Sequence, residues 1–133
     1  MTNAVLLDTS VVIDADELDF EDLHDLTPVI SAITIGELAF GADLGVNPDG
    51  RRDRLRRILD QYEVLAYGIE EAKLYGALAT LVRAAGRNPR PRRLDLQIAA
   101  TAAAARMPLL TSNPADFVGV GSLVDVVPVK RLG

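Results

Sequence analysis

The chain has 133 residues, of which 49% are hydrophobic and 25% are charged, and its formal net charge is −5. This length and hydrophobicity allow a buried core, so we exclude a disordered chain and expect one domain over residues 1–133. The absence of cysteine excludes disulfides and thiolate metal sites. The first residues lack the basic region of a signal peptide, and no apolar run reaches the length of a membrane span. We therefore expect a cytoplasmic protein with no membrane partner.

Short apolar runs alternate along the chain with longer segments of helical periodicity. In chain order we predict a strand at 5–7, a short helix from Thr9, a strand at 28–30, a helix at 33–42, a turn at 45–50, a helix through 55–59, a strand at 63–66, a helix at 69–85 ending at Gly86, a loop at 88–91, an alanine-rich helix at 94–106, and strands at 109–111 and 124–127. Strands that alternate with helices favour right-handed βαβ units. The expected fold is therefore α/β, with a central parallel β-sheet flanked by α-helices on both sides.

Charge is distributed unevenly, which matters because the net negative charge by itself argues against a nucleic-acid partner. Acidic residues crowd 14–25, a stretch without an apolar period that we predict to be a solvated, mobile loop. Arginines crowd 51–57 and 87–93, and twelve of the fourteen basic residues are arginine. Arginine is suited to forked contacts with phosphate, although solvated helix surface explains either cluster equally well.

Four acids occupy positions where a parallel sheet binds ligands, beyond the carboxyl ends of its strands or at the starts of the following helices. Asp8 follows the first strand, and Asp116 comes shortly after the strand at 109–111. Glu37 and Asp95 lie near the starts of helices. Each acid has a structural alternative: a helix N-cap for Asp8, a capping box with Thr34 for Glu37, a favourable position in the helix dipole for Asp95 and a turn for Asp116.

Four carboxylates at one place repel each other and raise each other's pKa values, unless a cation lies between them. With no cysteine and one histidine, the ligands are all oxygen, which favours Mg²⁺ or Mn²⁺ over zinc. Such an ion suits phosphodiester hydrolysis by a metal-activated water. The only histidine, His24, lies in the acidic stretch, which makes a serine–histidine triad implausible. The chain also lacks the GxxxxGK loop of an ATPase.

Four segments resemble the motifs of PIN-domain ribonucleases: LLDTSVVI at 6–13, ITIGEL at 33–38, RLDLQIAA at 93–100 and TSNPADF at 111–117. Their order and spacing are similar to those of VapC-type toxins of VapBC toxin–antitoxin pairs. The resemblance implies a PIN fold and Mg²⁺- or Mn²⁺-dependent endoribonuclease cleavage of a structured RNA such as tRNA or rRNA. It also implies a homodimer and a cognate VapB-type antitoxin whose C-terminal segment blocks the site.

The resemblance also assigns roles to individual residues. The catalytic acids it implies are Asp8, Glu37, Asp95 and Asp116, and the supporting polar residues are Thr9, Ser10, Thr111 and Asn113. We predict that Asp8 and Asp95 hold the metal, with Glu37 and Asp116 secondary. Some relatives carry an acid at the position of Asn113, so either Asn113 or Asp116 completes the metal shell. The arginines predicted to contact RNA are Arg51, Arg52, Arg54, Arg90, Arg92 and Arg93.

Two other functions fit part of the pattern. In a metal-free interaction module, or an antitoxin-dependent transcriptional co-regulator without nuclease activity, the acids would act as helix caps and as a dock for arginines of the partner. A phosphatase with an aspartate nucleophile would use Asp8, but that chemistry requires an acid two residues later, where the chain has Ser10. Calorimetric titration with Mn²⁺ separates the first alternative from a nuclease.

Overall fold

The computed structural model describes residues 3–44 and 47–133. The strands are β1 (Ala4–Leu7), β2 (Leu18–Asp19), β3 (Thr27–Ser31), β4 (Glu63–Leu65), β5 (Leu109–Thr111), β6 (Val126–Pro128) and β7 (Lys130–Arg131). The helices are α1 (Thr9–Ile13), α2 (Ala32–Leu44), α3 (Pro48–Gln61), α4 (Ile69–Ala84) and α5 (Arg93–Ala105). Within the described residues, no helix is long and apolar enough to cross a membrane.

Five of the strands form a central sheet in the order β4-β3-β1-β5-β6, and every neighbouring pair is parallel. Side chains of successive strand residues point to opposite faces, so a sheet covered on both sides has apolar residues at consecutive positions. In β1, Leu6 packs in the core layer of α4 and α5, whereas Val5 and Leu7 pack in the layer that includes α1 and α3. The predicted α/β fold with helices on both sides is confirmed.

The order of the strands places a topological switch point beside β1. The chain moves outward from β1 through β3 to β4 and then crosses to the other side of β1 to form β5. The carboxyl ends of β1 and β5 are therefore adjacent, and the backbone N–H of Asp8 donates to the carbonyl of Leu110 at 2.8 Å. Ligand sites of open parallel sheets lie at this kind of crevice.

Two predictions along the chain need correction. The predicted turn at 45–50 is helical from Pro48, because the Asn47 side chain caps α3 by accepting from the Gly50 N–H; Gly45 and Val46 lie outside the described residues. The prediction of a solvated loop at 14–25 is wrong for its central part. Leu18 is buried in β2, which pairs antiparallel with β7.

The β2–β7 pair is held by charge as well as by its backbone. Arg131 in β7 donates to Asp14 at 2.9 Å and to Glu17 at 2.8 Å. These acids precede β2, so the last strand neutralises part of the acidic stretch to which it is paired. A strand of two residues is too short to show an alternating pattern, which explains why β2 and β7 were not predicted.

Candidate active site

Asp8 lies at the carboxyl end of β1 and is the N-cap of α1, so its predicted capping role is confirmed. The residue is only 3% exposed. Oδ1 accepts from the Thr9 N–H at 2.9 Å, and Oδ2 accepts from the hydroxyls of Ser10 at 2.9 Å and Thr111 at 2.8 Å. Burial raises the pKa of Asp8, and these hydrogen bonds oppose the rise. The carboxylate is thus held in one orientation by three donors.

Glu37 lies in the second turn of α2 and is linked to Asp8 through Thr9. The Thr9 hydroxyl donates to Glu37 Oε1 at 2.8 Å, and it also lies 2.9 Å from the hydroxyl of Thr34. Burial raises the pKa of Glu37; the bond from Thr9 opposes this rise, and the charge of Asp8 adds to it. Thr9 therefore holds one acid through its backbone and the other through its side chain.

The capping box predicted for Thr34 and Glu37 is wrong. Helix α2 begins three residues earlier than that pattern requires, at Ala32 rather than Ile35. The Ser31 hydroxyl accepts from the Ile33 N–H at 3.1 Å and so satisfies the first turn. The Glu37 carboxylate is consequently available to the site at the edge of the sheet.

Asp95 lies in the first turn of α5, as predicted, where its charge complements the helix dipole. Its pKa is nevertheless raised to about 6, first by burial and then by the charges of Asp8, Asp116 and Glu37, while Arg92 lowers it. Each of the other three candidate acids therefore acts electrostatically on Asp95. Four chain segments bring their carboxylates to one end of the sheet.

Asp116 lies in a 3₁₀ turn, Pro114–Phe117, and forms an ion pair with Arg92 at 2.6 Å. This pair was not predicted, because Arg92 belongs to a cluster interpreted as a surface for RNA. Asn113 is exposed, and its backbone N–H donates to the Thr111 hydroxyl at 3.0 Å. Asp116 is thus the acid of this segment whose charge reaches Asp8 and Asp95.

The predicted RNA-binding arginines have different surroundings. Arg54 donates to the carbonyl of Ile13 at 2.9 Å and so caps the end of α1, and Arg51 donates to the carbonyl of Gly41 at 3.4 Å. Arg90 and Arg93 line a cleft of about 280 Å³ together with Glu37 and Asp95. Arg51 and Arg54 line a second cleft that also includes Glu37, whereas the cleft of Arg90 and Arg93 includes both Glu37 and Asp95.

Residues 5–121 match the family model of the PIN domain. The chain belongs to the PIN domain family. Its fold is similar to a chain of the VapBC-5 toxin–antitoxin system from Mycobacterium tuberculosis, with 28% identity, a TM-score of 0.78, and coverage of 95% of this chain and 98% of that chain. It is also similar to a chain of VapBC2 from Rickettsia felis bound to a promoter DNA fragment, with 24% identity, a TM-score of 0.78, and coverage of 94% and 98%.

A comparison with curated proteins finds no match. A third solved structure, DNA-bound VapBC from Salmonella typhimurium, is 22% identical with a TM-score of 0.76 over 96% of this chain and 98% of that chain. The predicted resemblance to PIN domains of VapBC systems is therefore confirmed at the level of family and fold.

The acids of this PIN domain fit a divalent metal in chemistry but do not form a closed ligand set. The carboxylates of Asp8, Glu37 and Asp95 have pKa values raised by burial and by neighbouring acids, and such oxygen donors are suited to Mg²⁺ or Mn²⁺ because a cation removes the repulsion. Over residues 3–44 and 47–133, however, no three acidic or histidine side chains are arranged to hold one metal ion. Arg92 instead supplies the positive charge nearest Asp116.

Because Arg92 counters the acids, replacing it with alanine should destabilise the PIN domain when divalent metals are removed. We expect the Tm of Arg92→Ala in EDTA at pH 8 to fall by about 2–5 °C, the range for one partly buried ion pair. The control is Arg90→Ala, which removes an exposed arginine from the same turn and should leave the Tm unchanged. Equal melting temperatures for Arg92→Ala and the wild type would show that the ion pair contributes nothing.

Proposed function

We propose that this PIN domain is an Mg²⁺- or Mn²⁺-dependent endoribonuclease, the toxin of a toxin–antitoxin pair. One observation carries the proposal: four acids lie together beside the switch point of a parallel sheet, where burial and the other three carboxylates raise the pKa of Asp95. Carboxylates that repel one another at such a position are suited to binding a divalent cation between them. The family match and the likeness to VapBC complexes support a nuclease toxin.

Asp8 and Asp95 would hold the metal, with Glu37 and Asp116 secondary. When bound, such an ion lowers the pKa of a coordinated water and neutralises charge that develops on the phosphate. Ser10 and Thr111 keep Asp8 oriented through Oδ2. Thr9 holds Oε1 of Glu37, which leaves Oε2 to accept the proton of the attacking water.

The partners that we propose are a structured RNA, such as tRNA or rRNA, as substrate and a VapB-type antitoxin as inhibitor, in the cytoplasm. The similar solved structures belong to VapBC toxin–antitoxin systems, which supports the antitoxin. We also propose a homodimer.

The direct test incubates purified protein with total RNA in Mg²⁺, Mn²⁺ or EDTA and sequences the new RNA ends. We expect discrete cleavage sites with either metal and none in EDTA. Calorimetric titration with Mn²⁺ should give stoichiometric binding that is lost in Asp95→Asn. Unchanged RNA in both metals would contradict the proposal.

A second candidate is a co-regulator without nuclease activity. It is favoured by the lack of a closed ligand set among the residues that the structure describes and by the promoter DNA in a similar VapBC complex. In that case Mn²⁺ would not bind stoichiometrically. DNA binding would require the antitoxin and would not change in Asp95→Asn.

If Arg90 and Arg93 contact RNA phosphates, their replacement should flatten the salt dependence of RNA binding. Each phosphate contact to single-stranded RNA contributes about 0.7 to the slope of log K against log salt, so Arg90→Ala/Arg93→Ala should reduce it by about 1.4. Binding is measured in the Asp8→Asn background to prevent cleavage. The control is Arg106→Asn at the far end of α5, because asparagine tolerates the φ of 56° at this position. An unchanged slope in the double variant would assign these arginines to another role.

A further inference from the structure

Thr34 is a buried helical threonine whose hydroxyl has an unusual partner. Helical threonines commonly donate to the carbonyl four residues earlier, and two in this chain do so: Thr80 to Gly76 at 2.9 Å and Thr101 to Gln97 at 3.0 Å. The Thr34 side chain is fully buried at the start of α2. Its hydroxyl is bonded across 25 positions to the hydroxyl of Thr9. Local helix chemistry therefore does not explain this contact.

The direction of the bond follows from counting protons. A hydroxyl has one proton to donate, and Thr9 donates its proton to the Glu37 carboxylate. In the contact between the two threonines, Thr9 must then accept and Thr34 must donate. The result is a chain of donors from Thr34 through Thr9 to Glu37. Donors in series polarise one another and strengthen each bond.

Thr34 contacts the Thr9 side chain, whose orientation holds the Glu37 carboxylate. The Thr9 N–H donates to Asp8 while its hydroxyl donates to Glu37. Without Thr34, the Thr9 hydroxyl would keep its acceptor, Glu37, but would lose the donor that holds its oxygen in place. A buried oxygen without a donor favours other rotamers, so the Glu37 carboxylate would lose its fixed position.

We propose that Thr34 is a positioning residue for phosphodiester cleavage, acting through Thr9 on Glu37. The inference rests on the proposed nuclease function. Thr34 is too deeply buried to touch RNA, so its replacement should affect the rate of the chemical step and leave RNA binding intact.

The test compares Thr34→Val, which keeps the shape and removes the hydroxyl, with Thr34→Ser, which keeps the hydroxyl. We expect Thr34→Val to lower kcat about three- to tenfold, the range for one buried hydrogen bond, with KM within about twofold of the wild type. Thr34→Ser should keep kcat within about twofold. The control is Thr80→Val, which removes a helical threonine hydroxyl of α4 outside the site and should leave kcat unchanged. A wild-type kcat for Thr34→Val, or equal losses in Thr34→Ser or Thr80→Val, would overturn the inference.

A double-mutant cycle tests whether Thr34 acts through Thr9. In a Thr9→Val background, Thr34→Val should cause no further loss of kcat, because the chain of donors is already broken. If the losses of kcat caused by the two substitutions multiplied in the double variant, the proposed chain of donors would be contradicted.

A readout without RNA separates this inference from the proposed function. The order parameter of the Thr9 methyl group, measured by NMR relaxation, should fall in Thr34→Val and stay unchanged in Thr34→Ser and Thr80→Val. No fall in Thr34→Val would overturn the positioning role whether or not the wild type cleaves RNA. A wild type that leaves RNA intact in Mg²⁺ would contradict only the nuclease function.

Discussion

Replacing Asp8 with asparagine should lower RNA cleavage on the order of 10³-fold or more while the protein stays folded. Asparagine has the same shape but lacks the negative charge needed to hold a metal. Its Oδ1 can still accept from Thr9, and the hydroxyls of Ser10 and Thr111 can rotate to accept from its amide. The cleavage rate is measured in Mg²⁺, and the fold is checked by circular dichroism.

The same variant should be at least as stable as the wild type in EDTA. Burial raises the pKa of Asp8, which means that the folded protein disfavours its charged form. The neutral amide avoids this penalty. Asp60→Asn, which changes an exposed carboxylate on α3, is the control and should keep full activity. Full activity in Asp8→Asn would contradict the assignment of Asp8 to the metal.

Replacing Asp95 with asparagine should stabilise the metal-free protein at neutral and alkaline pH. The pKa of Asp95 in the folded protein, about 6, lies above its ordinary value of 3.8. The folded state therefore binds this proton more tightly than the unfolded state does. The resulting stabilisation is complete below about pH 4 and is lost as the pH rises through 6.

The variant cannot ionise, so its Tm should exceed that of the wild type by about 3–6 °C at pH 8 in EDTA and match it near pH 4. Thermal unfolding at intervals of one pH unit measures the difference. Mg²⁺ at pH 8 should raise the Tm of the wild type and have a smaller effect on Asp95→Asn. A difference between the two proteins that does not depend on pH would contradict the charge clustering around Asp95.

The sequence allowed the parallel sheet to be predicted because its strands are short apolar runs between segments of helical period. It did not allow prediction of β2 and β7, whose pairing depends on residues more than 110 positions apart, such as Leu18 and Arg131. The start of α3 was also missed, since Pro48 and Gly50 indicate a turn unless the Asn47 cap is taken into account.

The site was predictable to the extent that its residues follow strands or begin helices. Asp8 and Asp95 lie where predicted, and Thr111 meets Asp8 because their strands are adjacent. The ion pair of Arg92 with Asp116 depends on how two loops approach each other, which no local pattern encodes. For Thr34 a signal was present: it precedes Glu37 by three residues, which places both on one face of α2.

The bond between Asp8 and Thr111 joins residues 103 positions apart, and this separation has a consequence for synthesis. During translation, Asp8, Glu37 and Asp95 are all synthesised before β5. Until β5 pairs with β1, Asp8 has the Ser10 hydroxyl but lacks that of Thr111, and Asp116 has not yet been made. A nascent chain therefore carries most of the acids without an assembled centre. We expect a nascent chain to assemble its acidic centre only after β5 has been made and has paired with β1.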